Sequence, residues 1–253
     1  MSHAVRVLVV DDDRRMAETI CDILRVSDFD ADGVHSGQAA LEKLATGSYS
    51  CVLTDIKMPG IGGVDLFRTI KETRPDLPVV LMTAYATDEL VRQGLKEGAI
   101  AALSKPLDMD SLLAFFSSLR EERTITIVDD DRKFSKTLGD ILRERGMHVR
   151  EINNPYEVLG ALESDCQTVL LDMKLNGISG LDVLRNIRSQ CPTLPVVLVT
   201  GYKQEMADVI KGALALSAHV CLYKPLEMDV LFEVLANVHK REMNAILTGT
   251  TGR

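Results

Sequence analysis

One acidic constellation occurs twice along the chain, at almost the same spacing. The first copy reads Val9-Val10-Asp11-Asp12-Asp13-Arg14, then Thr54-Asp55-Ile56-Lys57-Met58-Pro59-Gly60, then Met82-Thr83-Ala84-Tyr85, then Ser104-Lys105-Pro106. The second reads Ile127-Val128-Asp129-Asp130-Asp131-Arg132, Leu171-Asp172-Met173-Lys174-Leu175-Asn176-Gly177, Val199-Thr200-Gly201-Tyr202 and Tyr223-Lys224-Pro225. The offset is 118 residues at the acidic run, 117 at the single Asp and the Thr, and 119 at the Lys. Thr19, Asp22, Ile23, Leu24 and Arg25 also recur, as Thr137, Asp140, Ile141, Leu142 and Arg143, so a whole domain is duplicated and not only a motif. Self-similarity at a long fixed period therefore divides the 253 residues into two units. Each unit, at about 120 residues, is long enough to bury its own core.

Within each half, short β-rich runs alternate with amphipathic stretches, the pattern of βα units on a parallel sheet. In the first half strands are expected over 6–10, 29–34, 51–54, 78–82 and 100–103, and helices over 14–26, 37–46, 63–73, 88–97 and 108–120. In the first of these helices Met16, Ile20, Ile23 and Leu24 recur at helical spacing and give one apolar face. The second half repeats the strands over 124–128, 149–152, 168–171, 195–199 and 219–222. Five strands and five helices per half fit a doubly wound α/β sheet covered on both faces. The expected domains are 1–122 and 123–242, followed by a frayed polar tail over 243–253. Between them Arg120-Glu121-Glu122-Arg123 has no Gly, Pro or Ser spacer, so a fixed packing or a continuous helical lever is expected at the junction.

Charge excludes some partners. Residues 1–122 carry 13 basic and 20 acidic side chains and the rest 16 and 17, so neither half has the basic stripe that nucleic acid requires. Five cysteines, an odd number without paired spacing, fit a reducing compartment in which the thiols serve as small core residues. No signal-peptide core and no apolar run of membrane-spanning length is present, so a cytoplasmic protein without a membrane partner is expected.

In open α/β sheets ligands bind beyond the carboxyl ends of the strands. Asp11, Asp12 and Asp55 would meet there, and carboxylates about 4 Å apart at an effective dielectric near 20 repel by on the order of 4 kcal/mol per pair. Such a group must hold a proton or a cation. An all-oxygen site with open positions suits Mg²⁺. A Thr83 hydroxyl and the Lys105 ammonium beside one carboxylate make a phosphoryl-transfer constellation in which Asp55 is placed as nucleophile. Asp13 and Asp131 are read as helix N-terminal charges, not ligands.

On these motifs, in this order and spacing and present twice, both halves resemble response-regulator receiver domains of two-component signalling, over essentially the whole chain. The resemblance implies two flavodoxin-like (βα)5 sheets of strand order 2-1-3-4-5. It implies that Asp55 and Asp172 accept the phosphoryl group, that Asp12 and Asp130 ligate Mg²⁺ directly, and that Asp11 and Asp129 hold metal-bound water. Backbone carbonyls of Lys57 and Lys174 would complete the metal ligands, and Thr83 with Lys105, and Thr200 with Lys224, would grip the phosphoryl group. The implied function is a tandem-receiver response regulator in a phosphorelay. It takes phosphoryl groups from a sensor histidine kinase or a histidine phosphotransfer protein and signals to a downstream protein target, with a homodimer left open. It would phosphorylate and dephosphorylate itself and not turn over as an enzyme. The alternatives are an interaction scaffold in which only one receiver is phosphorylated, and the regulatory region of a longer kinase or effector protein.

The sequence departs from the family pattern in places. Ala102 and Cys221 stand three residues before each Lys, where an aromatic side chain is common, so the usual aromatic switch is in doubt in both domains. Asn176 replaces the usual Pro, and Ile61-Gly62-Gly63 lacks the acidic residue common before the last Gly. Tyr85 and Tyr202, with Lys57 and Lys174, flank the expected path of attacking water, and the rings are expected to shield the acyl phosphate. A phosphatase of the Asp-x-Asp type is disfavoured because Lys57 follows Asp55 by two, and a nucleotide enzyme because no Gly-rich phosphate loop is present.

Overall fold

The computed structural model describes residues 5–84, 89–119, 124–162, 166–201 and 207–249. The chain divides into two units, Met1–Glu121 together with Lys240–Arg253, and Glu122–His239. The 120–123 junction lies outside the described residues, and so do Tyr85 and Tyr202.

The first unit alternates β1 (Arg6–Val10), α1 (Arg14–Val26), β2 (Asp30–Val34), α2 (Gly37–Thr46), β3 (Cys51–Asp55), α3 (Gly63–Thr73), β4 (Val79–Thr83), α4 (Glu89–Glu97), β5 (Ala101–Ser104) and α5 (Met109–Ser118). All strand pairs are parallel, in the order β2-β1-β3-β4-β5. Both faces of the sheet are covered, as parallel sheets require. Strand period sorts the side chains: Val7 and Val9 join the cluster beneath α1 and α5, while Leu8 and Val10 join the one beneath α2, α3 and α4. Helix starts follow cap chemistry. The Asp13 carboxylate accepts from the backbone N–H groups of Arg15 and Met16, and Asp108 caps α5 in the same way.

The second unit runs β6 (Thr124–Val128), α6 (Arg132–Glu144), β7 (His148–Ile152), a 3₁₀ turn (Pro155–Glu157), α7 (Val158–Ala161), β8 (Cys166–Asp172), α8 (Gly180–Gln190), β9 (Val196–Thr200), α9 (Ala207–Ala215), β10 (Val220–Tyr223) and α10 (Met228–Thr248), of which the part from Lys240 on belongs to the first unit. Its sheet order, β10-β9-β8-β6-β7, is the same 2-1-3-4-5 topology. Asp131 caps α6 through Lys133 and Phe134, so both third acids of the acidic runs are helix caps. The second helical position is reduced to a 3₁₀ turn and the four-residue α7. Pro155 fits only the first turn of a helix, and Gly160 disfavours helix at the end of this short segment.

One expectation needs correction. The stretch from 243, read as a frayed polar tail, continues α10 as far as Thr248. Met243 and Leu247 are buried in the first unit's core, in one cluster with Ile100, Phe115 and Phe116, and Ile246 packs against it. Asn244 Nδ2 donates to the Ile100 carbonyl at 2.8 Å, which satisfies a backbone acceptor just before the edge strand β5.

Candidate functional site

Each sequence-predicted group sits at the carboxyl end of a strand. Asp11 and Asp12 follow β1, Asp55 and Thr83 are the last residues of β3 and β4, and Lys105 follows β5. Asp55 and Thr83 therefore belong to their strands, one residue further than the apolar runs alone indicated. In the second unit Asp129 and Asp130 follow β6, Asp172 and Thr200 end β8 and β9, and Lys224 follows β10.

The carboxylates converge. Asp11, Asp12 and Asp55 offer oxygens within 4.8 Å of one another, and so do Asp129, Asp130 and Asp172. Across each group lies a lysine. Lys105 Nζ stands 2.7 Å from Asp11 Oδ2 and 2.5 Å from Asp55 Oδ2. Lys224 Nζ stands 2.6 Å from Asp129 Oδ2 and 2.7 Å from Asp172 Oδ2. The other oxygens accept from the backbone: Asp11 Oδ1 from Asp13 N at 3.0 Å, Asp55 Oδ1 from Lys57 N at 3.2 Å, Asp129 Oδ1 from Asp131 N and Asp172 Oδ1 from Lys174 N, both at 2.9 Å. Thr83 and Thr200 are buried, and their carbonyls accept from Lys105 N and Lys224 N at 2.8 and 2.9 Å, which fixes Thr and Lys side by side.

Glycine permits the loop beyond each acceptor-type Asp. A Cβ on Gly63 would lie 2.1 Å from the Asp55 carbonyl oxygen, and one on Gly180 would lie 2.5 Å from that of Asp172, so no other residue fits without moving backbone.

Electrostatics follow from this packing. Burial works against the charge of Lys105, but the hydrogen bonds to Asp11 and Asp55 outweigh it and raise the ammonium above the ordinary lysine value. Lys224 is raised in the same way by Asp129 and Asp172. Asp129 is raised above the usual carboxylate range by burial, aided by the charge of Asp172 and opposed by Lys224. Three carboxylates face one ammonium in each pocket. With all of them ionised, two negative charges are left over, and the donors are all oxygen. That set fits a divalent hard cation.

Several neighbours of the second pocket, Asn176 apart, carried no motif signal. The Phe134 ring lies under Lys224 Nζ, 4.0 Å from ring centroid to nitrogen, where the first half has Met16. Asn153 donates to the Asp129 carbonyl and to buried Ser135, both at 2.8 Å, whereas His35 stands at the matching place beside the Asp11 carbonyl at 3.4 Å. Asn176 N donates to Asp130 Oδ2 at 3.2 Å, and Tyr156 Oη donates to the Gly177 carbonyl at 2.9 Å. The 118-residue offset was the one available signal for Phe134, since it sets an aromatic against a methionine. Ala102 and Cys221 are small and half-buried, and burial pushes the Cys221 thiol up.

The family model of the response regulator receiver domain matches the chain twice, over residues 7–117 and 125–236. The chain belongs to that family and consists of two tandem receiver domains of a two-component response regulator. A response regulator receiver protein of Anaeromyxobacter sp. strain Fw109-5 is 32% identical over 198 residues, covering 78% of this chain and 82% of that protein. The response regulator protein FleR of Pseudomonas aeruginosa is 38% identical over 110 residues, which cover 44% of this chain and 23% of FleR. Among solved structures, response regulator protein TrrA of Thermotoga maritima in complex with Mg²⁺-BeF is 30% identical, covers 46% of this chain and 98% of that chain, and superposes with a TM-score of 0.41. Among the described residues no helix is long and apolar enough to cross a membrane.

Proposed function

We propose that each receiver accepts a phosphoryl group on its strand-end aspartate, Asp55 in the first and Asp172 in the second. The donor is the phosphohistidine of a sensor kinase or a histidine phosphotransfer protein. A carboxylate oxygen of the Asp attacks phosphorus, the N–P bond breaks, and the imidazole leaves with a proton. Water later attacks phosphorus and breaks the O–P bond, returning the carboxylate and inorganic phosphate. The single observation that carries this reading is the lysine spanning two carboxylates in both units, Lys105 on Asp11 and Asp55 and Lys224 on Asp129 and Asp172. An ammonium so placed meets the charge that develops on the transferring group.

Asp11, Asp12 and Asp55, and Asp129, Asp130 and Asp172, are the side chains that would hold Mg²⁺, with the carbonyls of Lys57 and Lys174 as further ligands. Bound there, Mg²⁺ would offset negative charge on the phosphoryl oxygens. Thr83 and Thr200 supply hydroxyl donors beside the same group, and output is a phosphorylation-biased contact with a protein target.

The test is intact mass after incubation with Mg²⁺ and acetyl phosphate. Two added phosphoryl groups are expected, one lost in Asp55→Asn and the other in Asp172→Asn. An unmodified wild-type mass would overturn the reading. A single addition would favour the second reading, a scaffold with one active receiver. The extra contacts around Asp130 and Lys224 are the observation that favours that alternative, in which the second domain would be the silent one.

A further inference from the structure

The two pockets differ at one backbone atom. Four residues past Asp55 stands Pro59, and four past Asp172 stands Asn176. Proline has no N–H. Asn176 has one, and it points at Asp130 Oδ2 from 3.2 Å. Asp130 is half-buried and Asp12 is exposed, so the second acid pair is the more enclosed. The loop that brings Asn176 there is itself tied down. Gly177, at φ +87°, turns the chain, and its carbonyl accepts from Tyr156 Oη of the preceding βα connection. The matching position in the first half holds Gln38, which cannot make a phenol contact.

We propose that the Asn176 N–H occupies the metal-facing carboxylate of Asp130 and makes the second pocket the weaker divalent-cation site of the two. The inference rests on the phospho-acceptor reading of both pockets. A carboxylate oxygen that accepts a hydrogen bond is a poorer cation donor, and the bond must be given up or shared before a cation takes that lone pair. In the first pocket no such donor exists at that register. Cation affinity then ranks the receivers: at limiting Mg²⁺ the first is loaded and the second is not.

Mn²⁺, another oxygen-seeking divalent ion, is the probe, titrated into the full chain with free Mn²⁺ read by electron paramagnetic resonance. Asp12→Asn/Asp55→Asn isolates the second pocket, and Asp130→Asn/Asp172→Asn isolates the first. The first is expected to bind about tenfold more tightly, the scale of one hydrogen bond to a charged group. In the second-pocket background Asn176→Pro is expected to recover that tenfold, whereas Asn176→Ala, which keeps the N–H, leaves the affinity where it was. The reciprocal Pro59→Asn in the first-pocket background is expected to weaken binding about tenfold, so the inference stays testable if Asn176→Pro does not fold. Equal affinities in the two backgrounds, with no response to Asn176→Pro or Pro59→Asn, would overturn the inference while leaving the phospho-acceptor reading intact. Equal tightening by Asn176→Ala and Asn176→Pro would also overturn it, since the side chain and not the N–H would then be responsible. Failure of both pockets to bind Mn²⁺ would overturn the inference and the underlying reading together.

Discussion

The first and second acidic pockets share every bond between Lys and Asp, to within a few tenths of an ångström, and the backbone N–H donors to the acids, yet differ in the side chains that surround them. Phe134 lies under Lys224, Asn153 bonds the Asp129 carbonyl and Asn176 N bonds Asp130; at the matching positions the first half has Met16, His35 and Pro59. The acids and the lysine are fixed by where strands end, which the sheet dictates. Their readiness is set by neighbours that each half chose separately. Duplication has thus given one chain two receivers with matching acidic pockets and different surroundings.

The strongest way to sharpen the contrast is at the end of α10. Leu247→Ala is expected to destabilise the first unit by about 2–5 kcal/mol, because it empties a buried position. Hydrogen exchange read by mass spectrometry should show the loss in β1, β5 and α5. Equal loss in β6 and β8 would contradict the assignment of these turns to the first unit. Next in size is Phe134→Met, which gives the second pocket the residue of the first. Removing a ring from beneath a partly buried ammonium is expected to cost about 1 kcal/mol in the denaturant stability of the second unit. Unchanged stability would mean the ring merely fills space.

The smallest effect concerns acid. Burial opposes ionisation of Asp32, but hydrogen bonds from Tyr49 and Arg6 outweigh it and lower its pKa, while burial and the bond to Asp32 push Tyr49 up to about 12. A depressed carboxylate adds stability above its unfolded value, about 3.9, and loses it as pH falls through the lower native value. The second half has Thr124, Arg150 and Cys166 at these places and lacks the arrangement. Acid titration should therefore narrow the stability gap between the native chain and Asp32→Asn, with the change confined to first-unit amides. A gap constant down to about pH 2 would break the assignment.

Much of this was legible in the sequence. Helices α1, α2 and α3 begin and end where expected: Asp13 and Ser36 cap the first two, and α3, which starts after Gly62 without a side-chain cap, follows its apolar spacing. The strands carrying Asp55 and Thr83 run one residue beyond their apolar cores, since a strand end facing a polar pocket needs no hydrophobic side chain. The acids and lysines that converge at each strand-end pocket stood out because their types repeat in order. Lys105 beside Asp55 was expected from the same order; its second bond, to Asp11 across 94 positions, was not, as it has no local trace. Asn176 was visible as a substitution, but the target of its N–H depends on how the loop turns at Gly177. The spacing of Met243, Ile246 and Leu247 is helical, and the polar residues after them disguised it.

The last turns of α10 also set an order in time. Strands β1–β5 and helices α1–α5 have all been synthesised by residue 119, yet Met243 and Leu247 emerge roughly 130 residues later. At about 5–20 residues per second that delay is on the order of ten seconds. Throughout it, the apolar patch these residues cover is open to water and to chaperones. A chain cut short before Met243 would therefore be expected to damage the first unit and leave the sheet of the second intact.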